Sequence, residues 1–377
     1  MGMTQDSRLE VFASKEALSD PALLKAWERL VEGAGTPYSM YASPPWILHA
    51  LEASGGTVRV WKVLDAAGGL QGFVPFGIGV HRLAFEAGNR TFFRSRLRAA
   101  HVPGGVPALP KDRESHLRFF DGVFEGFPEC ECLFFDMVPG DHWFSDFLRE
   151  DRDLRKRYVI HSPFGVRKWQ LLRIEGSFED YLGRLGSKSR YNLRKSVRTM
   201  EELGRPLRLE RVERPDQVPR FLETAVEVSR NSWQHRELGP RVSDSETARR
   251  KMADLVERGL LRAYILLSGE EACAFSIAHQ YRGVVNSQEM GYHQDFARYS
   301  PGKVLLYLII QDLHADGSVT LLNFGMGDAE YKRWFADLER TESSWLLMRR
   351  TLRNRLLTRS HAAFDGAVEL AKRIARR

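Results

Sequence analysis

Ser300-Pro301-Gly302-Lys303 is the strongest chemical signal in the 377 residues. A serine able to cap, a proline suited to the first helical position and a glycine without a side chain open the apolar run Val304 to Ile310. The first N–H groups of a helix have no internal partner and carry the positive end of its dipole. Such a start accepts a phosphate. Pro301 has no N–H, which leaves the amides of Gly302, Lys303 and Val304 as donors, with Lys303 and Arg298 adding charge. An ordinary capped helix would read the same way. The position just past the carboxyl end of a strand, where α/β sheets bind ligands, favours the anion site.

A second group precedes that helix. Glu289, Gly291 and His293 alternate onto one face of the strand VVNSQEMGYH. Glu289 or His293 could serve as a general base, directly or through water. The bland alternatives are a solvated strand residue and a strand-end polar contact. Gly291 would permit a bulge or the close approach of a reacting group. A third group is basic. Arg190, Arg194 and Arg198 recur every fourth residue, so three guanidinium groups share a helix face near Lys188 and Lys195. A solvated charged face is the default for such a run. Trp233, Gln234 and His235 follow a helix and either line an acceptor pocket or pack in the core. Asp328 most simply caps a short helix after Gly327 and is also a candidate on the substrate side. No serine or cysteine sits in a nucleophile elbow, and there is no Walker-type loop or metal-ligand cluster. Chemistry without a covalent intermediate or metal is therefore expected.

Two domains of ordinary size fit this length, and 43% hydrophobic with 28% charged residues is the balance of a soluble globular protein. The net charge of +7 and pI near 9.3 favour an anionic partner: coenzyme A, a sugar nucleotide, transfer RNA or an acidic membrane surface. Three cysteines without ligand spacing argue against disulfides or zinc. No apolar run is long enough to span a bilayer, and MGMTQDSRLE lacks the pattern of a secretory signal, so a cytoplasmic location is expected.

The positioning elements follow from punctuation and period. Asp20-Pro21 and Ser43-Pro44 open helices near 21–32 and 44–53, and TVRVWKVL and LQGFVPFGIGV form two strands. Residues 85–112, rich in Arg, Gly and Pro and without a clear period, read as a long loop with short pieces of structure. Helices near 113–126 and 142–150 flank the strand ECLFFDMV, and RYVIHS leads to a boundary near Gly165. In the second half a capping-box start at Ser177 and the helix SKSRYNLRKSVRTMEELG lead to three strands joined by short turns: LLRAYILLS, ACAFSIAHQY and VVNSQEMGYH. The helix PGKVLLYLIIQDLHADG then returns the chain to the strand VTLLNF, and ESSWLLMRR is a last strand. In the basic helical tail, Phe364, Ala367, Ala371 and Ile374 make a weak apolar face.

The strand-strand-strand-helix-strand order with a phosphate-type turn resembles the GNAT acyltransferase superfamily. Residues 181–335 are similar to its branch linked to cellulose and exopolysaccharide synthesis and related to the Fem-type aminoacyl transferases. The resemblance rests on SKSRYNLRKSVRTMEELG, Ser232-Trp233, GYHQDFARYSPGKVLLYLIIQDL and FGMGDAEYKRWF in that order. The turn departs from the superfamily pattern: proline replaces the first expected glycine and lysine stands at the last position. Asn323 stands where an acidic residue is common. The resemblance implies an α/β (α+β) fold of mixed, mostly antiparallel sheets flanked by helices, with two GNAT-like lobes in tandem. Residues 1–165 would form a degenerate lobe, 166–350 the acyltransferase lobe, and 351–377 the tail. It also implies an acyl-CoA-dependent N-acyltransferase acting on a small or saccharide-linked amine. Arg298, Ser300, Gly302, Lys303 and Val304 would hold the acyl-CoA. Glu289 or His293 would be the base and Tyr331 the acid, with Arg190, Arg194, Trp233 and Asp328 on the acceptor side. A tRNA-dependent aminoacyl transferase and a non-catalytic scaffold in polysaccharide assembly are the competing expectations.

Overall fold

A computed structural model describes residues 6–12, 18–54, 57–88, 90–326 and 329–375. The chain divides into two compact units, residues 1–167 with 341–377 and residues 168–340.

In the first unit the strands are β1 (Asp6–Phe12), β2 (Val58–Leu64), β3 (Leu70–Ala87), β4 (Arg90–Val102), β5 (Cys132–Pro139) and β6 (Tyr158–His161). Its helices are α1 (Pro21–Gly33), α2 (Pro44–Ser54), α3 (Arg113–Gly126), α4 (Trp143–Glu150) and α5 (Arg152–Arg157). β1 to β4 form an antiparallel meander. α3, started by the Asp112 carboxylate accepting the Ser115 N–H at 2.7 Å, then crosses over and sets β5 parallel to β4. Phe119, Phe120 and Val123 of α3 pack with Phe76, Phe135 and Phe144 in the core.

The expected loop at 85–112 is corrected here: residues up to Ala87 and from Arg90 to Val102 belong to one long hairpin. Exposed Arg94, Arg96 and Arg98 alternate with buried Ser95, Leu97 and Ala99. That is the period of a strand with one wet face. The arginines and prolines of the stretch hide it in composition.

The second unit begins with β7 (Val166–Arg173), α6 (Phe178–Arg184), α7 (Ser187–Glu201) and β8 (Leu207–Arg211). Helices α8 (Val218–Arg230), α9 (Trp233–Leu238) and α10 (Glu246–Glu257) follow. Then come β9 (Leu261–Ser268), β10 (Glu271–Tyr281), β11 (Val284–Tyr292), α11 (Pro301–Asp316), β12 (Leu321–Met326) and α12 (Glu330–Phe335). The sheet order is β8-β9-β10-β11-β12-β7, antiparallel except for β11 and β12. The meander and single crossover helix match the order read from the sequence, and the fold is the expected mixed, mostly antiparallel α/β type. The capping box at Ser177 is present with Asp180.

α11 is fixed at both ends. Val304, Leu305, Ile309, Ile310 and Leu313 are buried against Leu172, Leu266, Ala274 and Leu322. Each such side chain contributes roughly 1.5–3 kcal/mol of burial. Near its last turn the guanidinium of Arg262 on β9, only 2% exposed, donates to Asp316 at 2.5 Å and Asp312 at 3.2 Å.

The last strand, β13 (Leu338–Arg349), does not serve the second unit alone. From Thr341 onward it lies in the first, where Trp345, Leu346 and Leu347 face Phe135, Phe134 and Leu133 of β5. β6 pairs on the same strand. Helix α13 (Leu352–Ala375) also belongs there, so residues 341–350 and the tail do not divide as 166–350 and 351–377. The packed stripe of α13 is mixed: Asn354, Thr358 and His361 are buried, Leu357 and Phe364 are half-buried, and Ala367, Ala371 and Ile374 are exposed. The apolar face drawn from the sequence is therefore not the one that packs.

Candidate active site

β11 and β12 are joined by ladder pairs only from Val284 to Asn286 against Leu321 to Asn323. Beyond that point both strands are irregular. On β11, Glu289 faces Ile277 and Ser287 faces Ala278, which leaves Gln288 as an extra residue. Such a bulge bends its strand and increases the local twist. It lies at Gln288 and not at Gly291. Gly291 is required for a different reason, because a Cβ there would lie 2.6 Å from Cε1 of buried Phe275. On β12 the register against β7 slips between Asn323 and Met326. Gly325 sits there at φ +74°, where a Cβ would also come within 2.9 Å of the Ser287 carbonyl oxygen. Only glycine suits both conditions.

Buried polar groups line this irregular region. Asn323 donates from Nδ2 to Oδ1 of Asn286 at 3.1 Å, and its own Oδ1 accepts the Gly325 N–H at 2.9 Å. Lys332 of α12 donates from Nζ to the Gly325 carbonyl at 3.0 Å and is 5% exposed. Burial brings its ammonium down to about 8. Beside it in sequence, half-buried Tyr331 keeps its phenol proton above the ordinary range, first through burial and then through the negative charge of Glu289. Glu289 is held in turn by Arg241, whose Nε and Nη2 reach one carboxylate oxygen at 2.8 and 2.7 Å.

α12 also borders the start of α11. The Lys303 ammonium lies 4.1 Å from the centre of the Trp334 ring. This cation–π contact positions the lysine beside the helix start. The start itself differs from expectation in two ways. Ser300 is left-handed at φ 55° and makes no side-chain cap, because the chain must reverse sharply out of the 3₁₀ turn Gln294–Tyr299. The amides of Lys303 and Val304 both donate to the Ser300 carbonyl, at 2.9 and 3.3 Å. Val304 is the fourth residue inside the helix, so its N–H closes the first regular turn. Of the three expected donors, Gly302 is the one these bonds leave unused. A Cβ at Gly302 would meet only Tyr292, at 3.7 Å, so its near side is uncrowded.

The other expected residues scatter. His293 accepts the Asp295 N–H on Nδ1 at 3.3 Å and so starts the 3₁₀ turn, which favours its structural role over that of a base. Arg298 lies over its neighbour Tyr299 at 4.6 Å. Arg190 and Arg194 line a basin of about 600 Å³ with Ser187, Tyr191, Arg198 and Tyr307, where α7 packs on α11. Only Arg194 of the three arginines is ion-paired among the described residues, to Glu179 at 3.1 Å. α9 begins next to the turn after β11, since Asn231 accepts the Gln294 N–H. The side chain of Trp233 and the whole of Asp328 lie outside the described residues. No group of His, Cys, Asp and Glu suited to a metal occurs among the described residues.

Lys332, Arg241 and Asn286, the partner of Asn323, escaped the sequence reading. A signal existed for Lys332. It stands three residues before Phe335, which is fully buried, so the two share a helix face.

Residues 187–333 match the family model described as an acetyltransferase (GNAT) domain. A search of curated protein sequences finds no match. Among solved structures the chain is similar to FemX, with a TM-score of 0.59 at 10% identity over 89% of this chain and 98% of that one. It is also similar to the C-terminal DUF2156 domain of a putative lysylphosphatidylglycerol synthetase from Agrobacterium fabrum. There the TM-score is 0.51 at 13% identity, over 90% of this chain and 95% of that one. At these identities the likeness is one of fold. The segment matching the GNAT acetyltransferase domain holds the split strands, the bulge and the start of α12, and the chain has a fold similar to that of FemX.

Proposed function

We propose that the protein transfers an acyl group from an acyl-CoA thioester to an amine by direct attack. The observation that carries this reading is the placement of α12. It brings Tyr331 and Lys332 to the split between β11 and β12 while Trp334 borders the start of α11. The uncrowded Gly302 amide and Lys303 suit a pyrophosphate at that start. In the reaction Glu289 takes the proton from the attacking nitrogen. The Lys332 ammonium donates to the carbonyl oxygen as negative charge develops on it. Tyr331, protonated at neutral pH, gives its proton to the thiolate as the carbon–sulfur bond breaks. A small or saccharide-linked amine is the acceptor class, with Arg190 and Arg194 available to a phosphate on either substrate.

Calorimetry with acetyl-CoA and longer acyl-CoAs tests the donor, and no binding to any of them would end this reading. Gly302→Val should weaken acyl-CoA binding about tenfold, the scale of one hydrogen bond to a charged group, with the melting temperature kept. Tyr331→Phe should instead slow turnover about 100-fold and leave KM unchanged. Loss of KM rather than kcat in Tyr331→Phe would remove the acid role.

A second reading, an aminoacyl-tRNA donor, is favoured by the FemX-like fold and the arginine face of α7. It predicts tight binding of charged tRNA that weakens steeply with salt, together with indifference to acyl-CoA.

A further inference from the structure

The upper part of the β3–β4 hairpin, in the first unit, has a face that no catalytic argument uses. Its register places Val80 opposite Arg98, Arg82 opposite Arg96 and Ala84 opposite Arg94. All four arginines are exposed, as is Arg90 nearer the tip. Arg82 and Arg96 are like charges directly across a ladder, an arrangement that works against the hairpin. Among the described residues no carboxylate is within ion-pair distance of Arg82, Arg90, Arg96 or Arg98. Glu86, the acid on this stretch, is engaged by the Thr91 hydroxyl at 3.0 Å.

Large apolar side chains lie at the end of this ladder. The register slips between Phe85 and Glu86, which makes Phe92 an extra residue on β4. Phe92 is 65% exposed and Phe93 57%. α13 runs toward the same end. His361 is bonded to the Ala84 carbonyl at 3.1 Å, and the Phe364 ring lies 5.7 Å from that of Phe92. The helix continues to Ala375, about 16 Å further at 1.5 Å per residue. Those turns expose Leu370 and Ile374, at 60% and 66%, beside exposed Arg373 and beside Lys372, which is paired with Glu369 at 2.7 Å. Exposed aromatic side chains at the end of the hairpin, with unpaired arginines along the strands that lead to it and exposed aliphatic side chains on the helix that runs to the same end, are the composition of a surface that enters a lipid headgroup region.

We propose that this end of the first unit docks on an anionic phospholipid bilayer. Phe92, Phe93, Leu370 and Ile374 enter the interface, and Arg82, Arg90, Arg94 and Arg96 meet the headgroup phosphates. No helix among the described residues is long and apolar enough to cross a membrane, so the attachment is peripheral and reversible. RNA would also satisfy the arginines. Phe92 and Phe93 could stack bases, but the aliphatic Leu370 and Ile374 offer RNA no stacking face and suit lipid instead.

The test is co-sedimentation of the full chain with vesicles of phosphatidylcholine, with and without about one-third phosphatidylglycerol. Binding is expected to the anionic vesicles and to fall with added salt. Phe92→Ser with Phe93→Ser should lower the partition coefficient at least about tenfold, from lost apolar burial. Arg82→Gln with Arg96→Gln should lower it as well and flatten the salt dependence. Leu370→Ser, at an exposed site on the other element, should weaken binding in the same direction. All of these positions are solvent-exposed, and the melting temperature verifies that each variant is folded. The proposal is overturned by equal binding to neutral vesicles or by no binding to anionic ones. It is also overturned if the phenylalanine variant is folded and binds like wild type. So too if these substitutions abolish a self-association or an RNA complex while leaving vesicle binding intact.

Discussion

Lys332→Met should reduce kcat by about two to three orders of magnitude, the usual effect of removing one donor to a developing oxyanion. It should also remove one ionisation from both activity and stability. The ammonium is nearly enclosed, and burial brings it to about 8. In the unfolded chain a lysine titrates near 10.4. Between those values the unfolded state binds more protons, so wild-type stability rises with pH across that window. Below about 8 the penalty is fully present, on the order of 3 kcal/mol. Methionine carries no such penalty but leaves the Gly325 carbonyl without its donor, which offsets about 1–3 kcal/mol of the gain. The stability difference between variant and wild type should therefore shift toward wild type as pH rises from 8 to about 10.4. Denaturant melts across that range measure it. Activity should behave consistently: the wild-type rate falls as the ammonium is lost above about 8, and the variant shows no such limb. A folded Lys332→Met enzyme with unchanged turnover would remove Lys332 from the chemistry.

Asp316→Ala should destabilise the second unit by about 3 kcal/mol, at the low end for breaking a buried pair because one acid remains. Arg262, almost wholly buried, would keep Asp312 but lose the closer carboxylate. Burial by itself would raise the Asp316 carboxyl. Hydrogen bonds from Ser318 and Arg262 outweigh it and hold the group well below the usual carboxylate range. A group depressed in this way stabilises fully above its unfolded value, near 3.9, and the contribution is lost as pH falls through the folded value. Wild type and variant should thus converge on acidification below about 4. Unfolding curves at neutral and acid pH check this, and equal stability at neutral pH would contradict it. The ion pairs hold the end of α11 opposite the helix start at Pro301, so acyl-CoA affinity should drop along with stability.

What could be read in advance follows the range of the interactions. The β9-β10-β11-α11-β12 order was legible because its signals are local: short turns after Ser268 and Tyr281, proline at the first helical position, and two clear periods. The location of the bulge was not. Gly291 looked like its cause, but the glycine clears Phe275 across the ladder, and the extra residue is Gln288. For the helix start, composition pointed to the right place and overcounted the donors, since Val304 is already one turn inside. Lys332 was passed over because a lysine between Tyr331 and Arg333 looks solvated until Phe335 orients the helix. ESSWLLMRR was recognisable as a strand. Its partner, β5, lies some 200 residues upstream, and local pattern carries no information about so distant a neighbour.

That distant pairing constrains how the polypeptide is born. As the chain leaves the ribosome, β5 emerges long before β13, and until then its Leu133-Phe134-Phe135 stretch has no strand on that side. β6 waits for the same partner. All of residues 168–340 are synthesised in the interval, and they can close their own sheet meanwhile. The second unit therefore completes first, while the earlier-made unit remains an open sheet with an unprotected edge. Nascent chains should depend on chaperone cover throughout that interval. A premature stop shortly after residue 340 would spare the second unit and leave the first aggregation-prone.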